Sequence, residues 1–186
     1  MNTPKGLHYI PNYLTDHEKE YILNFLKSKK TWKPVGTSKS SRKTLQFGYT
    51  YNYDQPSVTK TVSVPSFLLN IINADRINSM IGNELVSNSF DNLIINEYKS
   101  QGIAPHIDHV KLFGPIIVCI SIGDERPVVF TNSKTGEVFQ QMLEDKSLYI
   151  MSGESRYIWK HSLDSKKGYQ LPRYSLTFRN VNKTMN

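Results

Sequence analysis

Short apolar strands separated by turns dominate the second half of the chain. Alternating or continuous apolar positions bounded by Gly, Asp, Asn and Ser predict strands at 92–98, 116–122, 128–131, 138–140, 147–151, 159–162 and 173–179. A turn is predicted at 151–156, just before the strand that contains His161. Many short strands without long helices between them favour an antiparallel sandwich or jelly roll.

Helical patterns lie in the first half of the chain. Thr15 and Glu18 have the spacing of a capping box, which predicts that a helix begins there. A second helix is predicted at 65–81, with Pro65 in its first turn and Gly82 after its end. The residues predicted to face inward are Tyr21, Ile22, Phe25 and Leu26 in the first helix, and Phe67, Leu68, Ile71, Ile72 and Met80 in the second. The chain is therefore predicted to be mainly β with N-terminal helices, an α+β protein.

An aromatic segment lies between the two predicted helices. Phe47, Tyr49, Tyr51 and Tyr53 alternate with small or polar residues, so one strand would present four rings on one face. Arg42 and Lys43 precede it. The rings suit either a buried β face or a surface on which unstacked bases lie while cations hold the phosphate backbone.

Composition and charge narrow the functional class. A chain of 186 residues is long enough for one domain with a sizeable core. No N-terminal segment resembles a signal peptide, and the longest apolar run, 116–120, is too short to span a bilayer. We therefore expect an intracellular protein, cytoplasmic or nuclear, that is a monomer without membrane association. The net charge of +7 favours a polyanionic partner such as nucleic acid. The single cysteine, Cys119, lies in an apolar strand and is predicted to pack in the core.

Candidate chemistry begins with a histidine and an aspartate. On a strand, His106 and Asp108 point to the same face and can bind one cation, and His161 could supply a third ligand. Two His and one carboxylate leave coordination positions open, as in non-haem Fe(II) oxygenases. The alternative is a solvated His–Asp pair at a strand edge. His109 follows Asp108 directly and is predicted to face away from the metal.

A second polar face lies on the last predicted strand. Arg173, Ser175, Thr177 and Arg179 alternate with Tyr174, Leu176 and Phe178, so two guanidiniums and two hydroxyls share one face. Arginine pairs with carboxylates through a bidentate fork, so this face suits a small dicarboxylate. Asn96 and Tyr98 lie on the same face of an apolar strand, where polar groups need a partner.

Taken together, these motifs resemble the AlkB family of Fe(II)/2-oxoglutarate-dependent dioxygenases. The pattern N-x-Y, H-x-D, a distal H and R-x-S-x-T-x-R is similar to that family over about residues 47–181. The turn at 151–156 is similar to the G-x-S-R-like turn that precedes the distal His. The resemblance implies one domain over 1–186: N-terminal helices and a nucleotide-recognition lid over about 1–90, and a double-stranded β-helix (jelly roll) over about 91–181.

The resemblance also implies roles for individual residues. His106, Asp108 and His161 would bind Fe(II) and form the catalytic centre, and O2 would be consumed with 2-oxoglutarate. Binding of 2-oxoglutarate would use Asn96, Tyr98, Arg173, Ser175, Thr177 and Arg179. The lid would cover a flipped nucleotide, with substrate contacts from Arg42, Lys43, Phe47, Tyr49 and Tyr51.

The implied function is oxidative demethylation of alkylated nucleobases in DNA or RNA. Several nucleic-acid-repairing relatives have an acidic residue two positions after the metal-binding Asp, whereas this chain has Val110. That difference leaves the base preference open. Two alternatives therefore remain: a hydroxylase of a modified tRNA base or a protein side chain, and a nucleic-acid-binding module of the same fold without turnover.

Overall fold

Two antiparallel sheets and a separate hairpin make up most of the protein. The computed structural model describes residues 2–36, 41–87, 89–165, 168 and 171–183. The strands are β1 (Leu7–Ile10), β2 (Lys33–Pro34), β3 (Lys43–Phe47), β4 (Tyr49–Asn52), β5 (Ser57–Lys60), β6 (Asn92–Tyr98), β7 (Ile103–His106), β8 (Ile117–Gly123), β9 (Arg126–Asn132), β10 (Val138–Leu143), β11 (Leu148–Met151), β12 (Trp159–Leu163) and β13 (Arg173–Arg179). The helices are α1 (Asp16–Ser28), α2 (Ser66–Ile71), α3 (Ala74–Ile81) and α4 (Gly153–Tyr157). Within these described ranges, no helix is both long enough and apolar enough to cross a membrane.

The sheets differ in size and in the source of their strands. The larger sheet has seven strands in the order β1-β11-β8-β13-β6-β3-β2, and the smaller has four in the order β10-β9-β12-β7. Strands β4 and β5 form the separate hairpin. Strands β1, β2 and β3, from the first 90 residues, thus lie in the larger sheet beside strands from the second half.

Apolar side chains cover both faces of the larger sheet. One face packs against the smaller sheet through a buried cluster to which both sheets contribute: Leu7, Ile117, Cys119, Val128, Phe130, Leu143, Tyr149, Met151 and Trp159. The opposite face packs against the helices, and Ile22, Leu68 and Ile77 are fully buried there. Burial on both faces explains why β8 is a continuous apolar run. The predicted class, mainly β with N-terminal helices and a jelly-roll core, is confirmed.

The first helix begins where its capping box predicts. The Thr15 hydroxyl accepts a hydrogen bond from the Glu18 amide, and the Glu18 carboxylate accepts one from the Thr15 amide. Ile22 and Leu26 are buried as predicted, but the prediction for Tyr21 was wrong because its side chain is 54% exposed. Tyr21 lies at the margin of the buried stripe, where its ring meets the edge of Phe67.

The segment predicted as one helix at 65–81 is two helices. The first, α2, ends at Ile71, and Asn73 then caps α3 by accepting a hydrogen bond from the Arg76 amide at 3.0 Å. An asparagine side chain that competes for backbone donors favours a helix start over a helix interior. The change of direction leaves Met80 50% exposed, so its predicted inward orientation was wrong.

The aromatic segment is divided by Gly48. This residue has φ +77°, and a Cβ there would lie 1.7 Å from the Asp91 carbonyl oxygen. Strand β3 therefore stays in the larger sheet, whereas β4 turns away to pair with β5. The prediction of four rings on one strand face was wrong: Phe47 is buried in the core, and Tyr49 and Tyr51 belong to the hairpin.

The predicted turn before His161 is a short helix. Ser152 caps α4, and the Ser155 hydroxyl accepts a hydrogen bond from the Ser152 amide at 3.1 Å. Helix α4 leads directly into β12. The prediction of a turn at 151–156 was therefore wrong, and the compact helix buries the side chain of Arg156.

Candidate active site

Three candidate metal ligands meet between two strands of the smaller sheet. His106 ends β7 and lies opposite His161 of β12, and Asp108 follows two residues after β7 ends. One donor atom from each side chain lies within 4.8 Å of the other two. The structure thus brings together residues separated by more than fifty positions, within reach of one cation.

Hydrogen bonding orients the first of these histidines. Nδ1 of His106 lies 2.9 Å from the Ala104 carbonyl oxygen, which only a protonated nitrogen can bond. In the neutral imidazole Nε2 then keeps its lone pair, and it lies 3.6 Å from Oδ1 of Asp108. A carbonyl that fixes the tautomer of a ligand histidine is a common feature of metal sites.

Charge and burial keep Asp108 and His161 in their ligand forms. Burial opposes ionisation of Asp108, but Arg179 holds the pKa of this carboxyl well below its usual value. Arg179 donates from Nε to Oδ2 of Asp108 at 2.9 Å. Burial, followed by the repulsion of nearby His106, lowers the pKa of His161 to about 3. At neutral pH the cluster therefore offers a carboxylate and a neutral imidazole, the forms that bind metals.

A polar space, here called the inner cavity, lies beside the candidate ligands. Its volume is about 50 Å³, room for several water-sized groups. The predicted face of β13 lines it with Arg173, Ser175, Thr177 and Arg179, and the same lining includes Asn96, Tyr98, His106 and His161. All six residues predicted to bind the diacid thus border one space.

Two buried guanidinium nitrogens in this lining have no hydrogen-bond partner among the described residues. They are Nε of Arg173 and Nη1 of Arg179. A buried donor without an acceptor costs about 1–3 kcal/mol, so both nitrogens indicate an anionic ligand. Nη2 of Arg173 donates to the Ser121 hydroxyl at 2.8 Å, which holds the guanidinium in place. The residues present fit a carboxylate co-substrate beside a metal.

A buried thiol lies behind two of the hydroxyls that line the inner cavity and form its floor. Sγ of Cys119, which is fully buried as predicted, lies 3.2 Å from the Ser175 hydroxyl and 3.6 Å from that of Thr177. Burial raises the pKa of Tyr98 and raises that of Tyr149 well above its usual value, so both phenols stay protonated. Tyr149 was missed by the sequence analysis, because nothing in its own strand marks it as part of a polar site.

A second space, the outer cavity, adjoins the first. Its volume is about 200 Å³, and it shares Asn96, Ile103, His106 and Arg179 with the inner cavity. The rest of its lining is Arg42, Tyr51, Tyr53, Ile94, Ile107, Asp108, His109 and Phe113. The candidate metal ligands therefore stand where a polar cavity meets a space with aromatic and cationic walls.

The five predicted substrate contacts are not all at this site. Arg42 and Tyr51 line the outer cavity, and Nε of Arg42 donates to Oδ1 of Asn96 at 3.1 Å. Phe47 instead packs against the Phe25 ring in the core and lines neither cavity, so its substrate contact stays a prediction. Lys43 is exposed on β3, and Tyr49 packs against the cluster formed by Leu112, Phe113 and Val181. Neither of the last two lines either cavity.

Three further residues at the site were not predicted. His109 lines the outer cavity, and its Nδ1 accepts a hydrogen bond from the Leu112 amide at 3.2 Å. Phe113 lies beside the Tyr51 ring, with centroids 5.7 Å apart. Arg156 contacts the backbone that follows Asp108. Their nearness to Asp108 in sequence could have indicated the first two, but not the third.

Known proteins resemble this chain in sequence and in fold. Residues 6–179 match the family model of the 2OG-Fe(II) oxygenase superfamily. The tRNA (carboxymethyluridine(34)-5-O)-methyltransferase alkbh8 of Xenopus tropicalis is 31% identical over 168 residues, which cover 88% of this chain and 26% of that protein. The DNA oxidative demethylase ALKBH2 of Mus musculus is 29% identical over 110 residues, covering 53% of this chain and 46% of the relative. The solved structure of OsALKBH1 covers 97% of this chain and all of its own, with a TM-score of 0.77 and 18% identity. The chain thus spans about a quarter of the first relative and about half of the second.

Proposed function

Because the chain belongs to the 2OG-Fe(II) oxygenase superfamily, as a member of its AlkB family, we propose that it oxidatively demethylates alkylated nucleobases in DNA or RNA. The observation that carries the proposal is the position of His106, Asp108 and His161 between two unlike cavities. The inner cavity has the donors for a diacid, and the outer one has the rings and cations for a nucleotide.

In this proposal the chain's residues hold two reactants on either side of one metal. His106, Asp108 and His161 bind Fe(II), and Arg173 with Tyr98 binds the distal carboxylate of 2-oxoglutarate. Arg179 and Asn96 serve the end nearer the metal, and Ser175 and Thr177 add hydrogen bonds. With iron and 2-oxoglutarate bound, O2 can be used to oxidise a substrate C–H group. The buried phenol of Tyr98 stays a donor, because burial raises its pKa.

The outer cavity would hold the base. Tyr51 and Tyr53 present rings in an edge-to-face pair with centroids 4.9 Å apart, and a base can stack on such aromatic surfaces. Arg42 supplies a cation at the same opening. The β4–β5 hairpin contributes both tyrosines, which supports its assignment as the nucleotide-recognition lid. No protein base is required, since the site only has to direct a C–H group toward the metal.

The position of the oxidised carbon decides the product. If the carbon is an N-methyl group, the hydroxymethyl product has oxygen and nitrogen on one carbon and collapses to formaldehyde and the unmodified base. If the carbon is attached to a ring carbon, the hydroxyl group is stable. The same site can therefore support demethylation or lasting hydroxylation, according to the substrate.

A second candidate function is hydroxylation of a modified tRNA base. It is favoured by the 31% identity to the Xenopus relative, whose name specifies carboxymethyluridine at position 34 of tRNA. The shared segment is a quarter of that relative, so the likeness concerns one part of a longer protein. Val110, exposed beside the site, supplies no acidic group that would favour one base over another.

A mass-spectrometric panel tests both candidates. Methylated single- and double-stranded oligonucleotides and bulk tRNA are incubated with protein, Fe(II), ascorbate and 2-oxoglutarate. Loss of a methyl mass with release of formaldehyde supports demethylation, and gain of one oxygen supports the hydroxylase. The matched inactive control is His161→Ala. Turnover that persists in His161→Ala, or wild-type protein that converts neither nucleic acid nor 2-oxoglutarate, contradicts the proposal, and the second result favours a binding module.

A further inference from the structure

Arg156 is a buried cation bonded to backbone oxygens. Its side chain leaves α4 with only 2% of the residue exposed. Nη1 donates to the carbonyl of Asp108 at 2.8 Å, and Nε donates to that of Gly114 at 3.2 Å. Nη2 donates to the carbonyls of Phe113 at 3.3 Å and His109 at 3.5 Å. One guanidinium thus spans both ends of the segment 108–114, here called the ligand loop.

The other supports of the ligand loop come from β13 and the residues after it: Arg179 donates to the Asp108 carboxylate at 2.9 Å, and the Asn182 side chain donates to the Lys111 carbonyl at 2.9 Å. At its far end, the amide of Gly114 donates to the Asn180 carbonyl at 2.9 Å, and Phe113 forms an isolated β-bridge with Val181. Asn182 donates from its amide to the Leu112 carbonyl at 2.9 Å. Strand β13 and the chain after it therefore hold residues 111–114 and the Asp108 side chain, whereas Arg156 holds the backbone at Asp108 and His109.

The element from which Arg156 comes explains why its contact with the Asp108 backbone matters. Arg156 lies in α4, which leads without a loop into β12 and His161. Asp108 lies two residues after the end of β7, the strand that pairs antiparallel with β12. The guanidinium thus joins the backbone of one candidate metal ligand to the helix that precedes the strand of another. Only arginine offers five donors in a fixed planar fork, which is the geometry needed to bond several carbonyls at once.

We propose that Arg156 is a positioning residue that fixes the separation of Asp108 and His161 by holding the ligand loop against α4. The inference rests on the proposed function, because it assumes that these side chains bind a metal. Loss of the guanidinium would let Asp108 move relative to His161 while the two sheets stay packed. The loop also carries His109 and Phe113, so the wall of the outer cavity depends on the same contacts.

The test compares two buried arginines. Arg156→Lys keeps the positive charge but replaces the fork by one ammonium group. Arg126→Lys is the matched control, because Arg126 is 1% exposed and donates to the carbonyls of Lys99 and Gln101, neither of which is a candidate ligand. Affinity for Co(II) and its visible absorption spectrum are measured for both variants, together with thermal unfolding in chelator. Arg156→Gln and Arg126→Gln repeat the comparison with uncharged side chains.

The expected result separates positioning from general stability. Arg156→Lys should bind Co(II) about 10–100-fold more weakly than wild type, with an altered spectrum, as is typical when a partner of a metal ligand is lost. Arg126→Lys should unfold at a lower temperature yet keep its affinity within about twofold. The inference is overturned if Arg156→Lys binds as tightly as wild type, or if both variants weaken binding equally. Wild-type protein that fails to bind Co(II) would refute the proposed function and this inference with it.

Discussion

Removal of the counter-charge of Asp108 should destabilise the metal-free protein strongly. Nε of Arg179 lies 2.9 Å from Oδ2 of Asp108, and the two side chains are 8% and 9% exposed. At an effective dielectric constant of about 20, charges at this distance attract by about 6 kcal/mol. Desolvation offsets part of that attraction, but removing one partner of a buried pair still costs about 3–5 kcal/mol, because the other charge is left alone. Arg179→Met should lower the free energy of unfolding by about that amount at pH 7.

The double variant tests whether the unpaired carboxylate causes the loss of stability. Asp108→Asn combined with Arg179→Met removes both charges, so its loss of stability should be less than half that of Arg179→Met alone. Urea unfolding in chelator measures all three proteins. A single variant that is no less stable than the double variant would refute the reasoning, because the cost would then come from packing and not from an unpaired carboxylate.

The contribution of Asp108 to the pH dependence of stability should reverse in the single variant. In wild type the pKa of Asp108 lies well below its usual value, so the carboxylate contributes stability above that usual value, and this is lost as pH falls through the folded-state pKa. Without Arg179, burial would raise the pKa instead, so the stability difference between Arg179→Met and wild type should shrink as pH falls from 7. Saturating Mn(II) should restore part of the loss at pH 7, about 2.7 kcal/mol at a hundred times the dissociation constant.

Three further outcomes are expected. Arg173→Lys removes a bidentate fork, so the affinity for 2-oxoglutarate should fall about 10–100-fold while the affinity for Mn(II) is unchanged. Calorimetry in the presence of Mn(II) measures this. An unchanged affinity for 2-oxoglutarate would count against the assignment of Arg173 to the distal carboxylate. Because the pKa of His161 is lowered to about 3, metal-free wild type should lose stability as pH falls from about 6.5 toward 3, and His161→Gln should lose less over that range, as followed by thermal unfolding. Thr15→Ala removes the hydroxyl that caps α1 and should cost about 1 kcal/mol in urea unfolding. Replacement of the exposed Thr135, whose hydroxyl accepts a hydrogen bond from the Glu137 amide in a turn and not at a helix start, should cost less.

Rules that depend on neighbouring residues were sufficient to predict much of the fold. The capping box at Thr15 depends only on residues within one turn, so its position was predictable. The alternation on β13 placed Arg173 and Arg179 on one face, because the period of a strand is fixed by backbone geometry. The class also followed, since many short strands can bury their faces in few ways.

Errors arose where a tertiary contact overrides a local pattern. The alternation from Phe47 to Tyr53 continues through Gly48 without a break, and only the closeness of the Asp91 carbonyl shows why the chain must turn there. The periodicity of 65–81 likewise continues through Asn73, although its side chain starts a new helix. The division at Gly48 is set by what the segment packs against, which a single sequence does not contain, whereas the division at Asn73 depends on a local cap that the periodicity does not show.

The candidate site also contains residues that the sequence could predict and residues that it could not. The three metal ligands could be chosen from residue types and spacing, but Asp108 lies beyond the end of β7, so the strand argument that paired it with His106 was incomplete. Arg156 is the clearest example of what spacing cannot reveal. Its partners are carbonyl oxygens, which every residue has, so no sequence pattern could indicate them.

Cys119 makes the interior of this protein observable by simple thiol chemistry. It is the only cysteine in the chain, and its fully buried sulfur lies under the hydroxyls of Ser175 and Thr177. A small alkylating reagent can reach it only when the two sheets separate or the cavity floor opens. The rate of modification therefore reports how often these openings occur. Protection of this one sulfur by a diacid would then report occupancy at the floor of the cavity, with no other thiol to contribute a background.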